Sequence, residues 1–401
     1  MILGSAKGIY SGGFLLQADG SLRRLEEGKT GSLFDIADRF SLNGEVVKVT
    51  THKVGHINDT YIVETKPVPT GGGRLRYVLQ RVNSRVFPEP KPLIDNIKSV
   101  TERIRERVEE RGGDSRREVL TLVDTKEGRH FHIDGQGEFW RCYLYIDGLT
   151  VDFVKSDEGG MEIAYEASAA FGRFQEDLRD IDISKINVTI DDFHNTSVRF
   201  DDFLKTVKDD THGRYKGARE EIEFCLAREG LKGAITDRID SGEIPIRVTH
   251  NDTKINNVIF EGGRKSPPRA LCVIDLDTVM PGSLLYDFGD QVRTTTSSTA
   301  EDERDLDKVA FDLGLFEALV RGYIEACSGF ITDEERRLLP ICGRVITFET
   351  GLRFLTDHLR GDKYFKIERE GQNLDRARTQ FKLVSSMEEL EREMESIVKR
   401  Y

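Results

Sequence analysis

The sequence predicts an α+β fold of two unequal lobes, a small antiparallel strand lobe carrying one helix and a larger, mainly helical lobe. Three observations predict it. The chain of 401 residues, 38% hydrophobic, is too long for one ordinary core and apolar enough to fill two. Short β-branched runs dominate up to about residue 146, and apolar residues at three- and four-residue spacing dominate after it. One cluster of short apolar runs, Ile244 to Ile274, interrupts the helical half.

Residues 1 to 30 are rich in glycine and charge without a stable period, and read as a flexible or loosely docked extension. Strands are predicted at Glu45 to Thr50, Thr60 to Thr65 and Leu75 to Val82, with Gly71-Gly72-Gly73 in a loop. A helix follows from Lys91 to Arg111. Its apolar stripe of Leu93, Ile97, Val100, Ile104 and Val108 is expected to cover the strands. Val119 to Asp124 and Phe139 to Ile146 read as two more strands, and Asp147-Gly148 as the hinge between residues 31–147 and residues 148–401. Beyond it, helices are predicted at Met161 to Leu178, Ser197 to Val207, Gly217 to Arg228, Glu301 to Ser328, Asp333 to Leu359 and Met387 to Arg400. The runs Ile246 to Thr249, Asn257 to Phe260 and Ala270 to Ile274 are too short for helices and form a β insert in that lobe.

The formal charge of -12 argues against nucleic acid and anionic membranes as partners. A small anion must then be received by a metal ion and a few placed cations. Cys142, Cys225, Cys272, Cys327 and Cys342 are scattered and form no C-x-x-C pair, which fits reduced thiols in a cytosol. The first residues lack a signal-peptide core, and no apolar run of ~18 residues suggests a membrane span. The expectation is a cytoplasmic protein, monomeric or weakly dimeric.

The insert contains His250-Asn251-Asp252-Thr253-Lys254-Ile255-Asn256-Asn257, with the H-x-D-x-x-x-x-N spacing of the catalytic loop in protein-kinase-like enzymes. Phosphoryl transfer needs a carboxylate to orient and deprotonate the acceptor hydroxyl, and oxygen ligands for the Mg²⁺ on the phosphates of ATP. Asp252 is the candidate base, Asn257 a metal ligand, and Lys254 a cation within reach of the transferring group. The run Ala270 to Ile274 ends in Asp275-Leu276-Asp277. On an alternating strand both carboxylates would share one face and could approach Mg²⁺, with Asp275 the first choice. Asp287-Phe288-Gly289 spells the protein-kinase metal tripeptide, but it follows Pro281-Gly282-Ser283 and leads into a helix. Asp287 and Asp290 therefore read as structural, capping a helix or supporting the catalytic loop. His130-x-His132, on a short hairpin strand, reads as a solvated face.

Pro245 to Lys254 and Val273 to Ser283, with Gly55-His56-Ile57-Asn58, Tyr77-Val78-Leu79-Gln80, Arg353-Phe354-Leu355 and Gly361 to Phe365, resemble the bacterial N-acetylhexosamine 1-kinases over about Ser32 to Met387. That family stands with the aminoglycoside phosphotransferases and choline kinases. The resemblance implies a two-lobed protein-kinase-like fold, ATP and Mg²⁺ as cofactors, and phosphorylation of the anomeric hydroxyl of N-acetylglucosamine or N-acetylgalactosamine. By motif it implies Asp252 as base, Asn257 and Asp275 on the metal, and Arg353 and Tyr364 in the sugar pocket. It also places His56 and Asn58 on a loop closing over phosphates and sugar. The strand that in wider kinases presents an ATP-binding lysine has none here, so Gln80, Arg81 or another cation must serve. The loop Lys53 to Asp59 has the single glycine Gly55 for phosphate contacts. Two other readings stand beside this one: a kinase of the same fold with another hydroxyl acceptor, such as an aminoglycoside, methylthioribose or an amino alcohol, and a silent nucleotide or sugar sensor.

Overall fold

The computed structural model describes residues 33–52, 57–66, 75–157, 159–262 and 268–401, and the backbone of two short paired strands, β1 (Phe14–Leu16) and β2 (Leu22–Arg24). Apart from that pair, the predicted extension lies outside the described residues, as do Gly55, His56 and Gly71 to Gly73. The chain divides into two compact units, one of Met1–Pro88 with Leu122–Tyr145 and one of Glu89–Thr121 with Ile146–Tyr401.

In the first unit, β3 (Val46–His52), β4 (Asp59–Thr65), β5 (Arg76–Val82), β6 (His132–Ile133) and β7 (Phe139–Leu144) form one antiparallel sheet in the order β3-β4-β5-β7-β6. The alternation of β5 explains its two faces. Tyr77 and Leu79 point into a core with Phe40, Val63, Trp140 and Cys142, while Gln80 lies opposite Thr60 on one neighbour and Arg141 on the other. The run Val119 to Asp124 is not a strand: it makes one bridge, Leu122 to Tyr143. The chain passes from one unit to the other between Thr121 and Leu122, so no continuous ladder forms there.

Helix α1 (Pro90–Glu110) belongs to the second unit, although the sequence pattern grouped it with the strands. Its buried Asn96 explains the difference: the side-chain amide donates to Asn187 O at 2.8 Å and Val279 O at 3.0 Å, tying the helix to segments of the larger unit. At the centre of that unit, α2 (Gly160–Asp177) packs on α6 (Leu313–Cys327). The approach requires glycine on both, since a Cβ on Gly172 would sit 3.0 Å from Tyr323 O and one on Gly322 would sit 2.3 Å from Tyr165 O.

Helices α3 (Thr196–Asp209), α4 (Arg219–Leu226), α5 (Leu284–Thr295), α7 (Asp333–Leu359), α8 (Gln372–Glu389) and α9 (Glu391–Arg400) complete the helical body. The predicted helix from Glu301 starts only at Leu313, where the Asp312 side chain caps it by accepting from Leu315 N at 2.9 Å. The 27-residue α7 opens on a Thr332 and Glu335 capping box. Glu335 also takes Arg247 at 2.8 Å, anchoring the β insert to that helix start.

The insert comprises two antiparallel strand pairs, β8 (Arg247–Thr249) with β11 (Met280–Gly282) and, between them in the chain, β9 (Val258–Phe260) with β10 (Ala270–Val273). All five cysteines are buried and unpaired. Among the described residues no helix is long and apolar enough to cross a membrane.

Candidate active site

The loop from His250 to Asn257 joins β8 to β9, and buried side chains hold it at almost every residue. Asp287, on the first turn of α5 and 1% exposed, accepts from His250 N at 2.9 Å and Gln175 Nε2 at 2.6 Å through one oxygen, and from Asn251 N at 2.7 Å through the other. Its backbone carbonyl accepts from Thr253 Oγ1 at 2.5 Å. Asp287 thus supports the loop. The ring of His250 donates from Nε2 to Ile274 O at 2.9 Å and accepts from Asp252 N at Nδ1, 3.3 Å away. Thr278 Oγ1 donates to His250 O at 2.6 Å, and Asn251 Nδ2 to Thr278 O at 2.9 Å. These bonds lock the loop to the turn that carries Asp275 and Asp277.

Asn251 and Asp275 both adopt the left-handed region, φ 63° and 61°. Non-glycine residues rarely do so, and the two lie on the facing segments of one site. Strand β10 stops at Val273, so the expectation that Asp275 and Asp277 share a strand face is corrected. Asp275 is exposed in its left-handed turn, whereas Asp277 sits in a 3₁₀ turn and is 4% exposed. The β9–β10 register sets Val258 opposite Val273, and Ile274 N donates to Asn257 O at 2.9 Å, bringing Asn257 and Asp275 to neighbouring positions.

Lys254 Nζ lies 2.7 Å from Asp252 Oδ1, and Asn257 Nδ2 donates to Asp252 Oδ2 at 3.2 Å and to its backbone O at 2.8 Å. Burial alone would raise the Asp252 pKa. The Lys254 ammonium, with His250 and Arg293 behind it, outweighs burial and holds the carboxyl below its ordinary value. Asp252 in turn raises the Lys254 pKa, with Asp290 adding to the effect. Because the Asn257 amide nitrogen is committed to Asp252, its amide oxygen is the group left for a cation. Beside the exposed Asp275 carboxylate this gives the oxygen donors that a hard divalent ion takes.

A second group of residues is fixed to the same loop. Arg353, on α7, has its guanidinium carbon 5.5 to 5.9 Å from the rings of Phe193, Tyr364 and Phe365. Its N–H groups make no hydrogen bond among the described residues, and Tyr364 is 70% exposed. The loop bearing Tyr364 is nevertheless built firmly. The buried carboxylate of Asp357 accepts from Lys363 N, Tyr364 N and Phe365 N at 2.8 to 2.9 Å, and Asn373 Nδ2 donates to it at 2.9 Å.

The link to the His250–Asn257 loop runs through consecutive residues. Phe193 touches Arg353, and His194 Nε2 donates to Asn251 O at 3.1 Å while Nδ1 donates to Glu349 Oε1 at 3.0 Å. With acceptors on both nitrogens the ring favours its doubly protonated form. Burial opposes the charge, but Glu349 outweighs it and raises the His194 pKa. Glu349 is likewise lowered against burial, by His194 first. Sequence reasoning missed His194, Glu349 and Asp357; the first two meet across 155 residues of chain, and Asp357 bonds a nearby loop that has no periodic pattern.

In the first unit, Asn58 Oδ1 accepts from Asn83 N at 3.0 Å, and Arg81 pairs with Asp59. Gln80 Oε1 accepts from Arg141 at 2.8 and 3.0 Å, and Gln80 Nε2 donates to Thr60 Oγ1 at 3.1 Å. Arg141, 1% exposed, is the buried cation of this sheet, and sequence reasoning missed it too. Its signal was a lone arginine in the otherwise apolar run Phe139-Trp140-Arg141-Cys142-Tyr143.

A five-stranded antiparallel sheet in one unit and a helical body carrying H-x-D-x-x-x-x-N on a β insert in the other define a kinase-like phosphotransferase fold. The chain belongs to the phosphotransferase enzyme (APH) family, which it matches over residues 48–323. Similar solved structures agree on the fold. An aminoglycoside phosphotransferase from Alicyclobacillus acidocaldarius superposes with TM-score 0.60 at 12% identity, covering 92% of this chain and 96% of its own. A choline kinase from Cryptosporidium parvum gives 0.51 at 13%, covering 93% and 99%. A spectinomycin phosphotransferase in complex with ADP and spectinomycin gives 0.52 at 10%, covering 90% and 98%.

Proposed function

We propose that the protein transfers the γ-phosphoryl group of ATP to the anomeric hydroxyl of an N-acetylhexosamine, N-acetylglucosamine or N-acetylgalactosamine, giving the sugar 1-phosphate and ADP. The observation that carries this reading is the Arg353 platform, a partly buried guanidinium whose N–H groups make no hydrogen bond among the described residues, beside an exposed tyrosine ring. Phe193 and His194 connect that platform to the residue preceding Asp252. A guanidinium suits the neutral, oxygen-rich edge of a sugar and its acetamido carbonyl, and an aromatic face suits its C–H surface. It suits a cationic acceptor poorly, which argues against aminoglycosides and amino alcohols.

In this reading Asp252 accepts the proton of the anomeric hydroxyl, whose oxygen forms the new bond to the γ-phosphorus as the bond to the ADP oxygen breaks. Lys254 keeps Asp252 ionised and offsets charge on the transferring group. Asn257 and Asp275 would hold Mg²⁺, which supplies charge neutralisation on the phosphates. Gln80, held by Arg141, serves the nucleotide and Asn58 the loop over phosphates and sugar, with Arg81 committed to Asp59.

The test is ADP release from Mg·ATP with N-acetylglucosamine, N-acetylgalactosamine, glucose, galactose, kanamycin and choline, using wild type and Asp252→Asn. Turnover on an N-acetylhexosamine that falls by about 10² to 10⁴ in Asp252→Asn supports the reading. Turnover only on kanamycin or choline, or an unaffected Asp252→Asn, refutes it.

A further inference from the structure

Asp290, which the sequence pattern marks only as structural, brings a second buried carboxylate to the His250–Asn257 loop. Tyr286, Asp290 and Arg293 recur along α5 at four- and three-residue spacing and so share one face of that helix. The Tyr286 ring lies 5.3 Å from that of His194. Asp290 is 4% exposed, and its two oxygens differ. Oδ1 accepts from Arg293 Nε at 2.9 Å and takes Arg293 Nη2 at 2.8 Å, whereas Oδ2 is buried with no hydrogen-bond partner among the described residues. A buried carboxylate oxygen without a donor is unfavourable, so this one is a seat for a donor that arrives.

The cations near it differ in what they have left to give. Arg293 directs its remaining Nη1 to Glu301 at 3.3 Å, and His194 has both nitrogens committed, to Asn251 O and to Glu349. Lys254 has three N–H donors and one ion-pair partner, Asp252 Oδ1 at 2.7 Å. Asp252 is the largest influence raising the Lys254 pKa, and Asp290 is the second carboxylate that raises it. Asp290 is thus within electrostatic reach of the ammonium without pairing to it. Asp252, meanwhile, has both oxygens occupied, Oδ1 by Lys254 and Oδ2 by Asn257 Nδ2 at 3.2 Å. An acceptor hydroxyl must displace one of these partners. Asn257 is held a second time, through the Asp252 backbone O at 2.8 Å, while Lys254 stands on a flexible stem and is the partner free to leave.

We propose that Asp290 is a positioning residue for the transfer step: its free oxygen is the second seat of the Lys254 ammonium, which leaves Asp252 for Asp290 as the acceptor hydroxyl bonds Asp252. The inference rests on Asp252 as base and not on a sugar as acceptor. The proton passes from the hydroxyl to Asp252, and Lys254 keeps its own. The ammonium, neutralised by Asp290, stays beside the transferring group, and it returns once Asp252 has released its proton to water.

Asp290→Asn separates this role from support of Arg293. The amide keeps its carbonyl toward Arg293 and puts an NH₂ where the free oxygen stood, so the seat is lost while the bonds to Arg293 remain. Turnover is read as ADP formed, both on whichever acceptor is phosphorylated and as hydrolysis with water alone, so failure of the sugar reading leaves the measurement intact. Asp252→Asn, run alongside, tests the base itself. Asp290→Asn should lower kcat by at least about tenfold, the worth of one hydrogen bond to a charged group, with KM for ATP unchanged. In Lys254→Met the same substitution should have no further effect on kcat. An equal loss in both backgrounds, as support of Arg293 alone predicts, or no loss in the wild type, would overturn the proposal. A crystal structure of the wild type with Mg²⁺, a non-hydrolysable ATP analogue and that acceptor gives the same answer without a variant. Lys254 Nζ is expected on Asp290 Oδ2, and Lys254 still seated on Asp252 would overturn it.

Discussion

Replacing Asp287 by asparagine isolates what holds the catalytic loop in place. The Asp287 oxygen that takes both His250 N and Gln175 has two donors, and the other has only Asn251 N. An asparagine therefore keeps its carbonyl at the two-donor position and turns its NH₂ toward the Asn251 N–H. One charge-assisted bond is lost and one buried N–H is orphaned; the two costs overlap, giving about 2–4 kcal/mol. That is a large share of the about 5–15 kcal/mol that holds a domain folded. Asn251 is also the residue held at φ 63° immediately before Asp252, so its release should misplace the proposed base and lower kcat by at least about tenfold. Urea unfolding followed by far-UV circular dichroism reads the helical unit directly. The single tryptophan, Trp140, belongs to the strand unit and would miss the change. A midpoint and a kcat both within error of wild type would refute the assignment of Asp287 as the support of the loop.

Arg353→Ala should raise KM for the sugar by roughly 10- to 100-fold, the worth of hydrogen bonds to a charged group, with KM for ATP unchanged; equal effects on both would remove Arg353 from the acceptor side. Because Lys254 lowers the Asp252 pKa, Lys254→Met should move the acid limb of the kcat profile to higher pH, and an unmoved limb would show that Asp252 is not the titrating base. His194 has a raised pKa when folded, so its contribution is complete below the unfolded value and lost as pH rises through the folded one. Glu349 has a lowered pKa, so its contribution is complete above its unfolded value and lost as pH falls through the folded one. Tm should therefore be highest between the two, and His194→Gln should flatten the alkaline side; an unchanged profile would contradict the ion pair.

The parts of the site whose placement the sequence indicated are those where chemistry is written locally. The five-residue interval from Asp252 to Asn257 and the aspartates after an apolar run survive as a loop and a turn held together by short bonds. The strand expected over Leu75 to Val82 is also present, and it places Tyr77 and Leu79 in the core. What was not legible depends on distant partners. Gln80 and Arg141 meet only because β5 and β7 are neighbours in space, and His194 reaches Asn251 and Glu349 across long stretches of chain. The run at Val119 reads as a strand because it is apolar and β-branched, yet its residues leave one unit for the other. Periodicity likewise ran the α6 helix back to Glu301, past the Asp312 side chain that starts it. The shared face assigned to Asp275 and Asp277 failed because the left-handed turn at Asp275 ends the alternation.

The central claim is that Asp252 directs phosphoryl transfer to an anomeric oxygen. Phosphorus NMR of the product from N-acetylglucosamine or N-acetylgalactosamine with Mg·ATP tests it most directly. The account predicts one new phosphate resonance coupled to the anomeric proton, appearing with ADP in equal amount and absent with Asp252→Asn over the same time. A phosphate coupled to the protons at carbon 6, or ADP formed with inorganic phosphate and no sugar phosphate, would contradict it.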